Sequence, residues 1–223
     1  TGAYFHVVAL GRVKGLCRED GLEAGLRRAQ QQGALLILAH PHWCANSFED
    51  ARRWPFDGVE IYNHVCHWMN GKSSGLAHWD AMLTRKPGTL ALAADDAHLR
   101  PEHPGWNGGW IVANAPECTR DAILDALRRG NFYASCGPQL FSLALNDDQL
   151  EIEMSPVRFV RLVGPGPRGV RWGSFGGPLI ERLRVAVPRD WSYVYLEIED
   201  AAGRRAWTQS LFSPKQPVAE TET

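Results

Sequence analysis

The chain has 223 residues, 24 basic and 25 acidic side chains, a net charge of -1, and a 44% hydrophobic composition with 22% charged residues. That is the profile of a globular protein with apolar mass enough for one domain, or a larger domain plus a small one. Balanced charge gives no reason to expect nucleic acid or a membrane as partner, and no apolar run reaches the roughly 18 residues that a bilayer span requires. Five cysteines (Cys17, Cys44, Cys66, Cys118 and Cys136) form an odd set without a CxxC pair. They read as reduced thiols of a cytoplasmic protein, neither a disulfide framework nor a thiolate zinc site.

Taken in order, residues 4–10 (YFHVVAL) predict a strand, and 19–32 a helix with Leu22, Leu26 and Ala29 at helical spacing and Gly33 at its end. Residues 35–39 (LLILA) are a continuous apolar run, as expected of a strand buried on both faces. Ser47 is placed to cap a short helix to about Arg53; 59–62 reads as a strand, 74–85 as a helix and 89–94 (TLALAA) as a buried strand. A strand at 110–113, a helix capped by Thr119 and ended by Gly130, and a strand at 132–134 follow. This alternation predicts an α/β fold with a parallel sheet or barrel. After Pro138 the pattern becomes all strand: 139–145, 150–154, 159–163, 180–187, 192–199 and 206–212. Val185, Val187, Tyr193, Tyr195, Glu197 and Glu199 show the two-residue period of antiparallel strands, and a small β-sandwich fits. The expected division is 1–138, 139–213 and a disordered tail at 214–223.

All eight histidines lie within the first 103 residues, so the chemistry belongs to the first half. His40 directly follows LLILA; Glu60 and Asn63 lie on or just after the strand at 59–62; Asp95, Asp96 and His98 directly follow TLALAA. Polar side chains thus collect at the carboxyl ends of three strands, where barrels and open α/β sheets assemble their sites. Imidazole and carboxylate supply the donors that zinc, manganese or iron accept, and such an ion generates hydroxide near neutral pH. A single histidine at a strand end is more often a hydrogen-bonded core or surface residue; His40 together with Asp96 and His98 is a stronger signal. Asp95 reads either as a turn cap or as a neighbour of the site. His42, His64 and His67 fall in loops as solvent-facing residues that can line the pocket, His78 reads as surface or packing, and His103 receives no role. His6, within a strand, is structural by default. Trp43, Trp68, Trp79, Trp106 and Trp110 offer flat apolar surface to a substrate or belong to the core.

These residues resemble the PHP superfamily, named for the polymerase and histidinol phosphatase domain. The matches are Phe5-His6-Val7-Val8-Ala9-Leu10-Gly11, Ala39-His40-Pro41, Gly58-Val59-Glu60-Ile61-Tyr62-Asn63 and Asp95-Asp96-Ala97-His98. His78-Trp79-Asp80, the segment 130–138 and Arg205-Ala206-Trp207-Thr208 suggest the carbaryl-hydrolase type. The resemblance implies a distorted (β/α)7 barrel, here partial, followed by the small β-sandwich. It implies His6, His40, Asp96 and His98 as metal ligands, with Asp96 and His98 also catalytic. Glu60, Asn63, His42 and Asp95 are expected around them, in contact with the ligands or the substrate. The cofactor is a divalent ion, zinc, manganese or iron. The reaction is hydrolysis of a small-molecule phosphoester, ester, amide or carbamate; the alternative is a non-catalytic binding or scaffold module. The family's opening His-x-His motif does not precede His6, and at about 30 residues per β/α unit residues 1–138 cannot hold seven units. The chain by itself is therefore expected to be inactive and to self-associate until an N-terminal segment completes it.

Overall fold

The computed structural model describes residues 4–103 and 105–211. Strand β1 (Val7–Leu10), helix α1 (Gly21–Gln31), β2 (Leu35–Leu38), α2 (Phe48–Arg53), β3 (Gly58–Asn63), α3 (His64–Asn70), α4 (Leu76–Leu83) and β4 (Leu90–Ala94) make the first part. Then come β5 (Trp110–Ala113), α5 (Arg120–Arg128), β6 (Phe132–Ser135), β7 (Leu140–Asn146), β8 (Gln149–Val157) and β9 (Phe159–Val163). The last strands are β10 (Gly169–Trp172), β11 (Ile180–Ala186), β12 (Tyr195–Glu199) and β13 (Arg205–Thr208). They form a four-stranded sheet β1-β2-β3-β4, a six-stranded sheet β10-β9-β12-β13-β6-β5 and a three-stranded sheet β11-β8-β7. The protein is mixed α/β. The tail expected at 214–223 lies outside the described residues.

Side-chain caps start helices α2, α3 and α5. Ser47 and Asp50 form a reciprocal capping box at α2: the Asp50 amide donates to the Ser47 hydroxyl at 3.0 Å and the Ser47 amide to the Asp50 carboxylate at 2.9 Å. Such a cap contributes about 1 kcal/mol. Strand β2 is buried along its whole length, as its uninterrupted apolar run requires: Leu36 and Leu38 pack with Val59, Ile61, Trp79, Leu83 and Ala91, and Leu35 and Ile37, on the other face, with Leu90, Leu92, Leu127 and Phe132. Helix α3 was not expected, because only Val65 and Cys66 in it are buried and no apolar period announces it. It exists because the Asn63 side chain accepts the Cys66 amide at 2.9 Å, and Gly71, at φ 76°, ends it. His64 and His67 therefore stand on a helix and not in a loop. Strand β10 also escaped the sequence reading, being short, largely exposed and flanked by glycine and proline.

Two features place the site. Strands β2, β3 and β4 run parallel, which brings their carboxyl ends to one edge. Strand β1 is antiparallel to β2, with Val7 opposite Leu38 and Leu10 opposite Leu35. That departs from the parallel arrangement expected of a β/α repeat, and it sets the start of β1, not its end, beside the end of β2.

The six-stranded sheet takes β5 and β6 from one side of Pro138 and the rest from the other, so it crosses the expected division. Tyr193, Tyr195 and Trp207 share the core of Leu36, Leu38 and Trp79, and Tyr193 donates from its hydroxyl to Asp80 at 2.8 Å. At the edge of the four-stranded sheet the Gln209 side-chain amide accepts from the Ala91 amide at 2.8 Å and donates to the Ala91 carbonyl at 2.9 Å. A side chain there supplies the ladder bonds that a neighbouring strand would otherwise provide. A second apolar core lies between β8, β9, β11 and β12. Among the described residues no helix is long and apolar enough to cross a membrane.

His78, on α4, is 8% exposed, packs edge-on against Phe48 and donates from Nε2 to the Asn46 carbonyl at 2.8 Å, while its Nδ1 has no partner. Burial holds its pKa below the ordinary 6.5. The unfolded chain therefore takes up this proton first as pH falls, so the contribution to stability declines below about 6.5. His78→Gln keeps a donor for Asn46 and cannot titrate. Urea midpoints at about pH 7.5 and 5.5 are expected to fall less for this variant than for the parent; equal falls would show that His78 charging plays no part.

Candidate metal centre

His40 is the second residue beyond β2, and its backbone has φ 24°, in the left-handed region that β-carbon-bearing residues seldom adopt. The turn behind it is closed by the Trp43 and Cys44 amides, which donate to the His40 carbonyl at 3.0 and 3.2 Å, and by Asn46 N to Pro41 O at 3.0 Å. The His40 amide donates to Oε2 of Glu60 on β3 at 2.9 Å. That buried carboxylate also accepts the Asn63 side-chain amide at 3.0 Å. Burial raises the Glu60 pKa, against the lowering effect of these two bonds. The His40 ring is held inside, 6% exposed.

His6 reaches it because β1 is antiparallel. The Ala39 amide donates to the His6 carbonyl at 3.0 Å, extending the β1–β2 ladder by one bond to the residue before β1. Nδ1 of His6 then lies 3.1 Å from Nε2 of His40, and Nε2 of His6 lies 3.1 Å from the Tyr4 hydroxyl. Trp43 stacks on His6 at 5.8 Å between ring centroids and meets His40 edge-on at 5.2 Å. Burial lowers the pKa of both histidines, and for His6 the proximity of His40 adds to the effect. Both rings are thereby kept neutral, with lone pairs available to a cation.

The third strand end supplies Asp96, with φ 55°. Its Oδ2 is 3.8 Å from Nε2 of His40 and accepts a 3.4 Å bond from Asn63, while its Oδ1 is 3.6 Å from Nε2 of His98, an exposed ring. Two ligands on one ion at metal–nitrogen distances of about 2.0–2.1 Å stand roughly 3.3 Å apart in tetrahedral geometry. The 3.1 and 3.8 Å separations around His40 bracket that value, so each of these two pairs suits a shared divalent ion; the group whose donor atoms all lie within 4.8 Å of one another is His6, His40 and Cys44, without Asp96 or His98. Two adjacent candidate ligands on left-handed backbone is an observation of the kind that accompanies functional sites.

The other sequence-expected residues separate by role. Asn63, fully buried, caps α3 through its oxygen and ties Glu60 to Asp96 through its nitrogen. Asp95 accepts the amides of Asn107, Gly108 and Gly109 at 2.7, 2.8 and 2.8 Å, so it caps a loop. His42 is exposed and is not among the converging donors. Trp79 belongs wholly to the core, whereas Trp43, Trp68 and Trp106 are exposed. Sequence reasoning passed over two residues. His103 stacks on His98 at 5.6 Å and meets Trp68 edge-on at 4.9 Å; its place in a Pro-rich loop gave no signal. Cys44 joins His6 and His40 with donor atoms all within 4.8 Å, and its Sγ is 3.4 Å from Nδ1 of His40. The His40-x-x-x-Cys44 spacing was its only trace.

No family model and no curated protein matches the chain. Among solved structures it is similar to a two-domain protein from Bacteroides vulgatus described as containing a PHP-like metal-dependent phosphoesterase, at 14% identity and a TM-score of 0.40. The match covers 85% of this chain and 65% of that one, so the chain spans less than two thirds of that protein's length.

Removal of the donors around His40 is expected to weaken metal uptake. His40→Ala and Asp96→Asn should each bind zinc or manganese at least roughly 10- to 100-fold less tightly than the parent, while His42→Ala binds as the parent does. Titration with metal quantified per chain reads this directly. Unchanged affinity in His40→Ala would remove His40 from the site.

Proposed function

We propose that the protein is a metal-dependent hydrolase in which His6, His40, Asp96 and His98 hold a divalent ion, acting on a small-molecule phosphoester, ester, amide or carbamate. The observation that carries this reading is the approach of His6 Nδ1 and Asp96 Oδ2 to His40 Nε2, at 3.1 and 3.8 Å, on backbone turned left-handed at both His40 and Asp96. A divalent ion bound there supplies Lewis acidity and a nucleophilic water near neutral pH. His6 and His40 hold neutral nitrogens toward it. Asp96 turns one oxygen to His40 and the other to His98, so its carboxylate links the buried and exposed sides of the site. His98, with Nε2 3.6 Å from Asp96 Oδ1, is an exposed member of the set, on the side open to substrate. Exposed Trp43, Trp68 and Trp106 offer apolar surface for an aromatic leaving group.

The order and spacing of the motifs around His6, His40, Glu60 and Asp96 support placing this hydrolase with the PHP superfamily and its carbaryl-hydrolase type. On this reading β2, β3 and β4 correspond to barrel strands. Residues 1–138 carry the chemistry, and the strands after Pro138 supply the three-stranded sheet and four strands of the six-stranded sheet that it packs against. The five free thiols fit a cytoplasmic location.

A panel of aryl phosphates, alkyl phosphates, aryl esters and aryl carbamates, assayed with zinc and with manganese, tests the proposal. Turnover of any of these classes is expected to be chelator-sensitive and reduced roughly 100-fold or more in Asp96→Asn. Turnover of aryl substrates above alkyl ones supports the apolar surface. Hydrolysis indifferent to chelation would contradict the hydrolase reading.

A further inference from the structure

The imidazole of His40 has two nitrogens facing in different directions. Nε2 faces His6 and Asp96, at 3.1 and 3.8 Å; Nδ1 faces Sγ of Cys44 at 3.4 Å. Their lone pairs diverge across the ring, so one ion cannot take both. An ion among His6, His40 and Asp96 must use Nε2, and a neutral ring ligating through Nε2 carries its proton on Nδ1. Inside the protein that proton needs an acceptor, because His40 is 6% exposed. Cys44 is 7% exposed and is delivered to this position by the turn in which its own amide donates to the His40 carbonyl at 3.2 Å.

Resting on the metal-site reading above, we infer that Cys44 is a positioning residue: its Sγ accepts the Nδ1–H of His40, fixing the tautomer and the ring plane that present Nε2 to the ion, and it does not itself ligate. Sulfur is a weak acceptor, so the restraint is as much steric as electrostatic. On the other ligand the Tyr4 hydroxyl occupies the equivalent place, 3.1 Å from Nε2 of His6, when Nδ1 ligates. Metal-bound histidines ordinarily carry such a partner behind the ring, and its loss costs roughly 10- to 100-fold in affinity.

The test begins with the wild-type chain and cobalt(II) alone. The expected spectrum shows binding without a sulfur-to-cobalt charge-transfer band, and nitrogen-15 NMR of the zinc-loaded protein places a slowly exchanging proton on Nδ1 of His40. Cys44→Ala is expected to bind cobalt roughly 10- to 100-fold more weakly, and Cys44→Ser, which retains an acceptor, to recover most of that loss. Thermal melting of the metal-free variants separates this effect from unfolding, and if Cys44→Ala does not fold the wild-type spectra decide alone. A thiolate band, a proton on Nε2, or equal cobalt affinity in a folded Cys44→Ala would each overturn the positioning role while leaving the metal site standing. Absence of any metal binding by the wild type would remove the site itself, and the role of Cys44 with it.

Discussion

The Glu60 carboxylate holds three strand ends together. One oxygen accepts the backbone amide of His40, at the end of β2, and the side-chain amide of Asn63, at the end of β3; Asn63 in turn bonds Asp96 beyond β4. Taking a carboxylate out of water is costly, and two hydrogen bonds do not fully offset it, which is why its pKa is raised. A neighbouring cation favours the ionised form of such a group. The buried carboxylate that burdens the fold would therefore couple favourably to an ion held, as proposed, by His40 and Asp96. The left-handed backbone at those two residues costs on the order of 1–3 kcal/mol each and persists only where surrounding bonds over-determine it. The His40 amide bond to Glu60 and the closed turn after Pro41 are such bonds.

Chain direction matters as much as chemistry. A parallel β1 would have set His6 against the start of β2, a full strand away from His40. The antiparallel register carries His6 to the opposite end, and one further bond, Ala39 N to His6 O, fixes it there. On the far side, Gln209 and the Tyr193–Asp80 bond tie the C-terminal strands to β4 and α4. Residues far along the chain thus brace the strand whose end carries Asp96.

Much of the first half was legible because its signals are local. LLILA and TLALAA can only be buried strands at that length, and Ser47 and Thr119 announce their helices by cap chemistry. His40 and Asp96 stood out for following such runs directly. What was not legible depends on non-local geometry. The direction of β1 is absent from its seven-residue pattern, so His6 entered only through a family resemblance. Helix α3 rests on an Asn63 cap whose other bonds come from β3 and the loop after β4. His103 returns to the site through loop folding, and Cys44 through a turn whose closing bonds no periodicity encodes. The sheet shared across Pro138 was hidden for the same reason: alternation identifies antiparallel strands without naming their partners.

The most direct measurement of the central claim is anomalous scattering from crystals of the protein equilibrated with zinc, recorded above and below the metal's absorption edge. A peak is expected bounded by His6 Nδ1, His40 Nε2 and an Asp96 oxygen, at about 2.0–2.2 Å from each, with Cys44 Sγ beyond bonding distance behind the His40 ring. A peak elsewhere with that position empty, or one bonded to Sγ in place of Nε2, would contradict the claim.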